Sequence, residues 1–440
     1  RGVSISTVQE AYRRLEEQGL VESRPKSGYF VRARQSASAL PQASRPAQRP
    51  IEVSQWADVL ELLSGNEDKS VLALGRGVPE HDVATLEPLM RELVRINRAA
   101  DMRGMEYDGL AGTRRLREQV VRLMTDSGCE QHPDDIIITS GCQEALSIAM
   151  RAITRPGDVV AVDSPSFYGS MQIIRAFGLK VMEIPTDPET GISLEALELA
   201  LEQWPISALQ LTPTCNNPLG YTMPEDKKRK LVALAQRFDL AIIEDDIYGD
   251  LSFQYPRPRA IKSFDTDGRV LLCSSFSKTT APGMRVGWVA PGRYRDRVLH
   301  TKYVSTGATA VTPQLAVAEF VARGDYERHL RRVRPMYRRG RDAMLDWVSR
   351  HFPAGTRISY PQGGFLLWVE LPGELDTLLL NKRLPALGMR IAPGVLFSAS
   401  GKYRNCLRLN YAAEPTPRLE QAIRTDRKST RLNSSHLVIS

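Results

Sequence analysis

The chain has 440 residues, 42% of them hydrophobic, which is enough for more than one domain and for a sizeable core. No apolar run approaches the roughly 20 residues of a membrane span, so a soluble cytoplasmic protein is expected. The formal charge of +8 points to nucleic acid only in part, because +3 of it sits in residues 1 to 35 and +2 in residues 426 to 440. The five cysteines, Cys129, Cys142, Cys215, Cys273 and Cys406, are odd in number and show no C-x-x-C pair. They read as free thiols in a reducing compartment, and no metal site is expected.

At the start, Ser4 can cap a helix with Val8, Ala11, Tyr12 and Leu15 on one face, and Gly19 stops it. Leu20 to Glu22 and Tyr29 to Val31 then read as two short strands joined through Pro25-Lys26-Ser27-Gly28. Residues 35 to 50 are rich in Ala, Ser, Gln and Pro, which predicts a flexible tether, bounded as 35–55.

From residue 56 to about 425 apolar strands alternate with amphipathic helices. Strands are expected at 136–139, 158–162, 180–184, 207–212, 240–244, 269–273 and 285–290, with helices near 143–153, 169–177, 193–203 and 225–238 between them. That alternation predicts an α/β fold with a mostly parallel seven-stranded sheet, whose ligand sits at the strand ends. A helical run near 328–350 and strands near 365–370 and 405–411 predict a second, smaller α+β lobe. The large lobe is expected over about 100–320 and the small one over about 321–425, joined by the N-terminal segment.

The chemistry concentrates in Ser274 to Trp288. Lys278 lies between two apolar runs, beside Ser275, Ser277, a Pro-Gly turn and Arg285. An isolated buried ammonium is costly, so such a lysine must be neutral, paired or covalently used. It can form a Schiff base with an aldehyde while the serines and the guanidinium hold a phosphate. Other strand ends carry matching groups. Ser140-Gly141-Cys142-Gln143 opens a helix whose N-terminus can take a phosphate, although such a pair is often only a cap. Asn217 lies in Asn216-Asn217-Pro218-Leu219-Gly220, and Glu244-Asp245-Asp246-Ile247-Tyr248 ends an apolar strand.

The string around Lys278 resembles the cofactor-lysine motif of fold-type-I pyridoxal 5'-phosphate (PLP) enzymes, the aminotransferase family. The resemblance implies a role for each matching residue. Lys278 would carry the cofactor and move the proton. Ser140, Gly141, Cys142, Gln143, Ser275, Ser277 and Arg285 would hold the phosphate, and Phe167 would stack on the ring. Asp245, with Asp246 as the alternative, would pair with the ring nitrogen; Asn217 and Tyr248 would bond the ring oxygen. Arg408 would hold a substrate carboxylate, though a strand arginine is also an ordinary ion-pair partner. Gly77 matches the loop on the carboxylate side. Tyr107 resembles the tyrosine that crosses to the neighbouring subunit's phosphate, which implies at least a homodimer.

Residues 1–34 resemble the second half of a GntR-type winged helix-turn-helix, through Thr7, Val8, Ala11, Leu15, Gln18, Gly19, Leu20, Ser27, Gly28, Tyr29, Phe30 and Val31. Ser4, Ser6, Thr7 and Gln9 would face the major groove and Lys26 the phosphates of an operator. The helices that precede such a recognition helix are absent from the sequence as written. Residues 426–440 have no periodicity and resemble a translated sequencing adapter, so they are expected to lie outside the fold.

The order of the parts resembles the MocR subfamily of GntR regulators. It implies a PLP-binding transcription factor that senses an amine, amino acid or vitamin form. A working aminotransferase is the competing expectation, since every residue that turnover needs is present.

Overall fold

The computed structural model describes residues 4–17, 21–24, 27–31, 38–53, 57, 59, 71–80, 83–98 and 105–424. A helix over Ile5–Glu17 precedes the strands β1 (Val21–Arg24) and β2 (Gly28–Val31), which pair antiparallel with Val21 opposite Val31. Ser4 caps the helix by accepting the Thr7 N–H at 3.2 Å, and the rings of Tyr12 and Tyr29 stack at 4.4 Å, tying helix to hairpin. Lys26 lies outside the described residues.

Two sheets organise the rest. After β3 (Leu72–Ala73) come β4 (Ile137–Thr139), β5 (Val159–Ser164), β6 (Lys180–Asp187), β7 (Gly191–Ile192), β8 (Ile206–Leu211), β9 (Ala241–Asp245), β10 (Val270–Ser275) and β11 (Gly287–Ala290). From β4 onward these strands form one eight-stranded sheet in the order β4-β11-β10-β9-β8-β5-β6-β7. Its centre, β10-β9-β8-β5-β6, is parallel. Strand β11 runs antiparallel to both neighbours. The count exceeds the expected seven by β7, a two-residue strand that doubles back on β6 and is too short to leave a periodic signal. Strands β5, β9 and β10 are buried from end to end, as a sheet covered on both faces requires.

The second sheet holds β12 (Arg357–Ile358), β13 (Leu366–Glu370), β15 (Ala392–Pro393) and β16 (Cys406–Asn410), ordered β12-β13-β16-β15, while β14 (Met389–Arg390) pairs with β3. The long helix Asp325–His351 joins the two bodies. Sequence reading missed the helix Val311–Ala322, because it is buried on nearly every side and carries no polar stripe.

Residues 38–53 correct the expected tether. Instead of hanging free they lie along the main domain, with Ile51 and Val181 exchanging backbone hydrogen bonds at 2.9 Å and Ser44 and Val53 buried. A stretch poor in large apolar residues can still be held when its backbone groups find partners, a signal that composition does not carry.

Candidate functional site

The site forms where β9, β10 and β4 end, roofed by the small lobe. After β10 the chain turns through Phe276, whose N–H bonds to Val286 at 3.0 Å, and delivers Lys278 beneath Gly77. The Lys278 ammonium donates to the Gly77 carbonyl. Burial pushes the Lys278 pKa down to about 8, and the charge of Arg408 adds to the effect while Asp245 opposes it. A β-carbon built on Gly77 would lie 3.7 Å from Arg408 Nη2 and 3.8 Å from both Lys278 Nζ and Tyr248 Oη. Three side chains from separate segments thus meet around one glycine.

The acidic trio that ends β9 separates into three environments. Glu244 accepts the backbone N–H groups of Ile261 and Lys262 at 2.7 and 2.9 Å. Asp246 is paired with Arg257 at 2.5 Å, and Arg257 also binds Asp250. Asp245 is buried with only weak donors, Cys142 Sγ at 3.4 Å and the Ile247 N–H at 3.3 Å, and makes no ion pair among the described residues. Burial pushes its carboxyl up to about 7. Tyr248 is buried against Phe365, and its phenol is likewise pushed up by burial.

Gly141 caps the helix Cys142–Ile153 and, having no side chain, makes no cap hydrogen bond to the positive end of that helix. Arg285 lies across the same end, Nη2 donating to Ser140 O at 2.7 Å and Nη1 to Ser277 Oγ at 3.3 Å. It adopts a left-handed backbone, φ 53°, just before β11, so the strand expected from 285 starts at Gly287. Ser275 Oγ accepts the Ser277 N–H at 3.2 Å. Gln143 reaches Gly169 O at 3.3 Å, the turn that bears Phe167. Two serines, an arginine and an uncapped helix end converge here, a donor set suited to a phosphate.

Arg408, in β16, is buried in the roof. It donates to Asn217 Oδ1 at 2.8 Å and Gly75 O at 2.6 Å, its Nε has no partner, and the Phe397 ring lies 4.9 Å from its guanidinium. The neighbouring Asn216 instead serves the scaffold, donating to Asp163 at 2.7 Å. Tyr107 is 96% exposed, so its ring stands on the surface of its own chain, apart from this cluster. Ser4, Ser6, Thr7 and Gln9 are exposed on the first turns of the N-terminal helix.

Sequence reasoning missed Arg257, which pairs with both Asp246 and Asp250 and so leaves Asp245 as the site carboxylate without an ion pair. Nothing in Arg257-Pro258-Arg259 signals that pairing. It also missed Phe397, an ordinary apolar residue until the fold sets it against Arg408.

The residues fit PLP on the structure's own terms. A buried carboxylate without an ion pair, an enclosed lysine of lowered pKa and a helix end with no side-chain cap beside Arg285 are each incomplete alone and complete around a pyridine, an aldehyde and a phosphate. Fold and site together define a PLP-dependent fold-type-I aminotransferase scaffold. Residues 69–425 match the model of the family "Aminotransferase class I and II", and residues 1–31 match "Bacterial regulatory proteins, gntR family".

The chain therefore belongs to the class I and II aminotransferase family, in the MocR-type arrangement where a GntR-type segment precedes that domain. It is 52% identical over 423 residues to the uncharacterized HTH-type transcriptional regulator YjiR of Escherichia coli K12, covering 96% of this chain and 90% of that one. It is 35% identical to YdcR of the same organism, described in the same words, with the same coverage. Among solved structures, kynurenine aminotransferase of Pyrococcus horikoshii, in complex with PMP, superposes with a TM-score of 0.78 at 30% identity. That match covers 88% of this chain and 96% of the other.

Proposed function

We propose that the protein is a PLP-binding transcriptional regulator that senses an amino acid, an amine or a vitamin form through its aminotransferase domain. The observation that carries this reading is the convergence of Lys278, Tyr248 and Arg408 on Gly77 in a chain that also bears a GntR-type segment. Bound PLP supplies an electrophilic aldehyde and an electron-withdrawing ring. Lys278 would carry the cofactor through its Nζ, for which its lowered pKa suits it, and would hold or move a proton there. Asp245 meets the ring nitrogen and keeps it protonated. Asn217 and Tyr248 take the ring oxygen, Phe167 covers one ring face, and Arg285 with Ser275, Ser277 and the 140–143 turn holds the phosphate. Arg408 takes an effector carboxylate by a bidentate pair, with Gly77 leaving room beside it.

In this reading the protein works in the cytoplasm as a homodimer in which Tyr107 reaches the partner's phosphate. Ser4, Ser6, Thr7, Gln9 and Lys26 face operator DNA, and the aminotransferase domain spans about 56–425.

A second reading, an active aminotransferase that moves an amino group between an amino acid and a 2-oxo acid, is favoured by the same completeness of the site, Arg408 included. One experiment separates them. The purified chain with PLP is titrated with amino acids and amines in the presence of 2-oxoglutarate while its absorption is followed. A lasting spectral shift without accumulating amino acid supports the sensor, and accumulation over many cycles sinks it. A Lys278→Ala chain should lose covalent attachment, read as the absence of a borohydride-stable adduct; an adduct that persists at that site would overturn the lysine assignment.

A further inference from the structure

We infer that residues 38–53 form a strap that registers the relative position of the two lobes and passes it to the N-terminal segment. The inference rests on the proposed reading of the chain as a ligand-responsive regulator.

The strap is bonded to both bodies within a few residues. On the small-lobe side, Ala39 O accepts the Ile358 N–H at 2.9 Å in β12, and the Gln42 N–H donates to Glu370 Oε2 at 2.9 Å in β13. On the large-lobe side, the Ser44 N–H donates to Thr186 O at 3.1 Å and Ser44 Oγ accepts the Thr186 N–H at 2.8 Å, both on β6. Further on, Ile51 and Val181 exchange two bonds, and Arg175 donates to Val53 O at 2.6 Å. Gln42 and Ser44 are two residues apart, a reach of about 7 Å. A stretch that short cannot absorb a lobe movement of several ångströms with every bond kept.

The small-lobe anchors belong to the sheet that carries Arg408. In that sheet Arg408 stands opposite Trp368, and Cys406 opposite Glu370. A second connection runs from Arg408 to the strap through residues 397–403. Phe397 lies against the Arg408 guanidinium, and its carbonyl accepts the Ser166 N–H at 2.9 Å. Ser398 and Ser400 each donate to the buried Glu183 at 3.2 Å, which Ser164 also reaches at 3.2 Å. Tyr403 meets Ser164 Oγ at 2.7 Å, and Lys402 Nζ donates to Arg45 O at 2.6 Å. A carboxylate that engages Arg408 must compete with its bonds to Asn217 and Gly75, and any shift of Arg408 is felt by Phe397 and, through this segment, at Arg45. At its other end the strap begins only seven residues after Val31, the end of the hairpin, a span of at most about 25 Å.

The test uses the full chain loaded with PLP, and aminooxyacetate as probe. This small molecule captures the cofactor aldehyde through its aminooxy group and offers a carboxylate to Arg408. Hydrogen exchange should change by at least about fivefold at the amides of residues 42–51 when the probe is added, and this response should vanish in Arg408→Ala. By reciprocity, Ser44→Ala or Ile51→Pro, which loosen the strap far from the cofactor, should shift the probe's affinity by a comparable factor. A strap whose exchange is unchanged while the spectrum shows that the probe has reacted overturns the inference and leaves the regulator reading intact, as do unchanged affinities in both variants. A chain that takes up no PLP overturns both.

Discussion

Arg408 of the small-lobe sheet and Asn217 of the large lobe meet at 2.8 Å, Nη1 to Oδ1, and this bond crosses the boundary at which an effector would bind. Gly75 O takes the other Nη, so the guanidinium is held flat with its fork filled by neutral acceptors. In the proposed reading an effector carboxylate would replace those acceptors with a charge-assisted pair. Arg408→Lys keeps the charge and loses the fork. Affinity for amino acids should fall by about 10-fold to 150-fold, at roughly 1.5–3 kcal/mol for the lost charged bonds, while amines without a carboxylate bind as before. Spectral titration of both classes checks this, and an equal loss for both would remove Arg408 from the carboxylate role.

The two adjacent aspartates should separate cleanly. Asp245→Asn removes the group expected at the ring nitrogen and should weaken PLP binding and alter the bound spectrum, with little change in folding. Asp246→Asn breaks the buried pair with Arg257 and should cost about 3 kcal/mol of stability, read as a lowered urea midpoint, with the cofactor spectrum unchanged. The opposite pattern would transfer the ring-nitrogen role to Asp246.

The pH dependence follows from two displaced groups in the cofactor-free chain. Lys278 titrates at about 8 when folded, below the roughly 10.4 of an exposed lysine. The unfolded chain therefore binds more protons between those values, and stability should rise with pH from about 8 to about 10. Asp245 titrates at about 7 when folded, above the roughly 3.9 of an exposed aspartate. The folded chain binds the extra proton there, and stability should fall as pH rises from about 4 to about 7. Urea midpoints across pH check both slopes. The rate of PLP attachment should climb through a midpoint of about 8, because only the neutral amine attacks; a rate flat from pH 7 to 9 contradicts the lowered lysine.

Gly141 is required twice over. Its φ of 88° belongs to the region that side chains avoid, and a β-carbon there would collide with the Arg285 guanidinium. Gly141→Ala should therefore displace Arg285 from Ser140 O and weaken PLP binding about 10-fold or more, with a smaller effect on pyridoxal, which lacks the phosphate. Comparing the two affinities by fluorescence quenching tests whether this corner holds the phosphate; equal losses would argue against it.

How much could be read in advance depended on how local each signal was. The buried strands of the large sheet announce themselves as short apolar runs, and polar stretches stand at their ends, which is why the segments around Lys278, Asp245, Asn217 and Arg285 could be picked out. The choice of single residues within them rested on the resemblance to the aminotransferase motifs. The strap could not. Ala, Ser, Gln and Pro at 35–50 carry no period, and the bonds that hold residues 38–53 go to backbone or side chains well over 100 positions away. Arg257 was equally silent, because an arginine between prolines has no partner until β9 is set beside it.

The order of segments, the alternation that makes an α/β sandwich and the types of group at each strand end were determined by the amino-acid sequence, since periodicity and turn chemistry act over a few residues. Tertiary structure alone decided which carboxylate of Glu244-Asp245-Asp246 remains without a strong partner, which asparagine of the 216–217 pair meets Arg408, and that the connection between the parts lies against both lobes. Each of those outcomes depends on distances between remote segments, and burial decides them by making an unpaired charge costly wherever the fold closes over it.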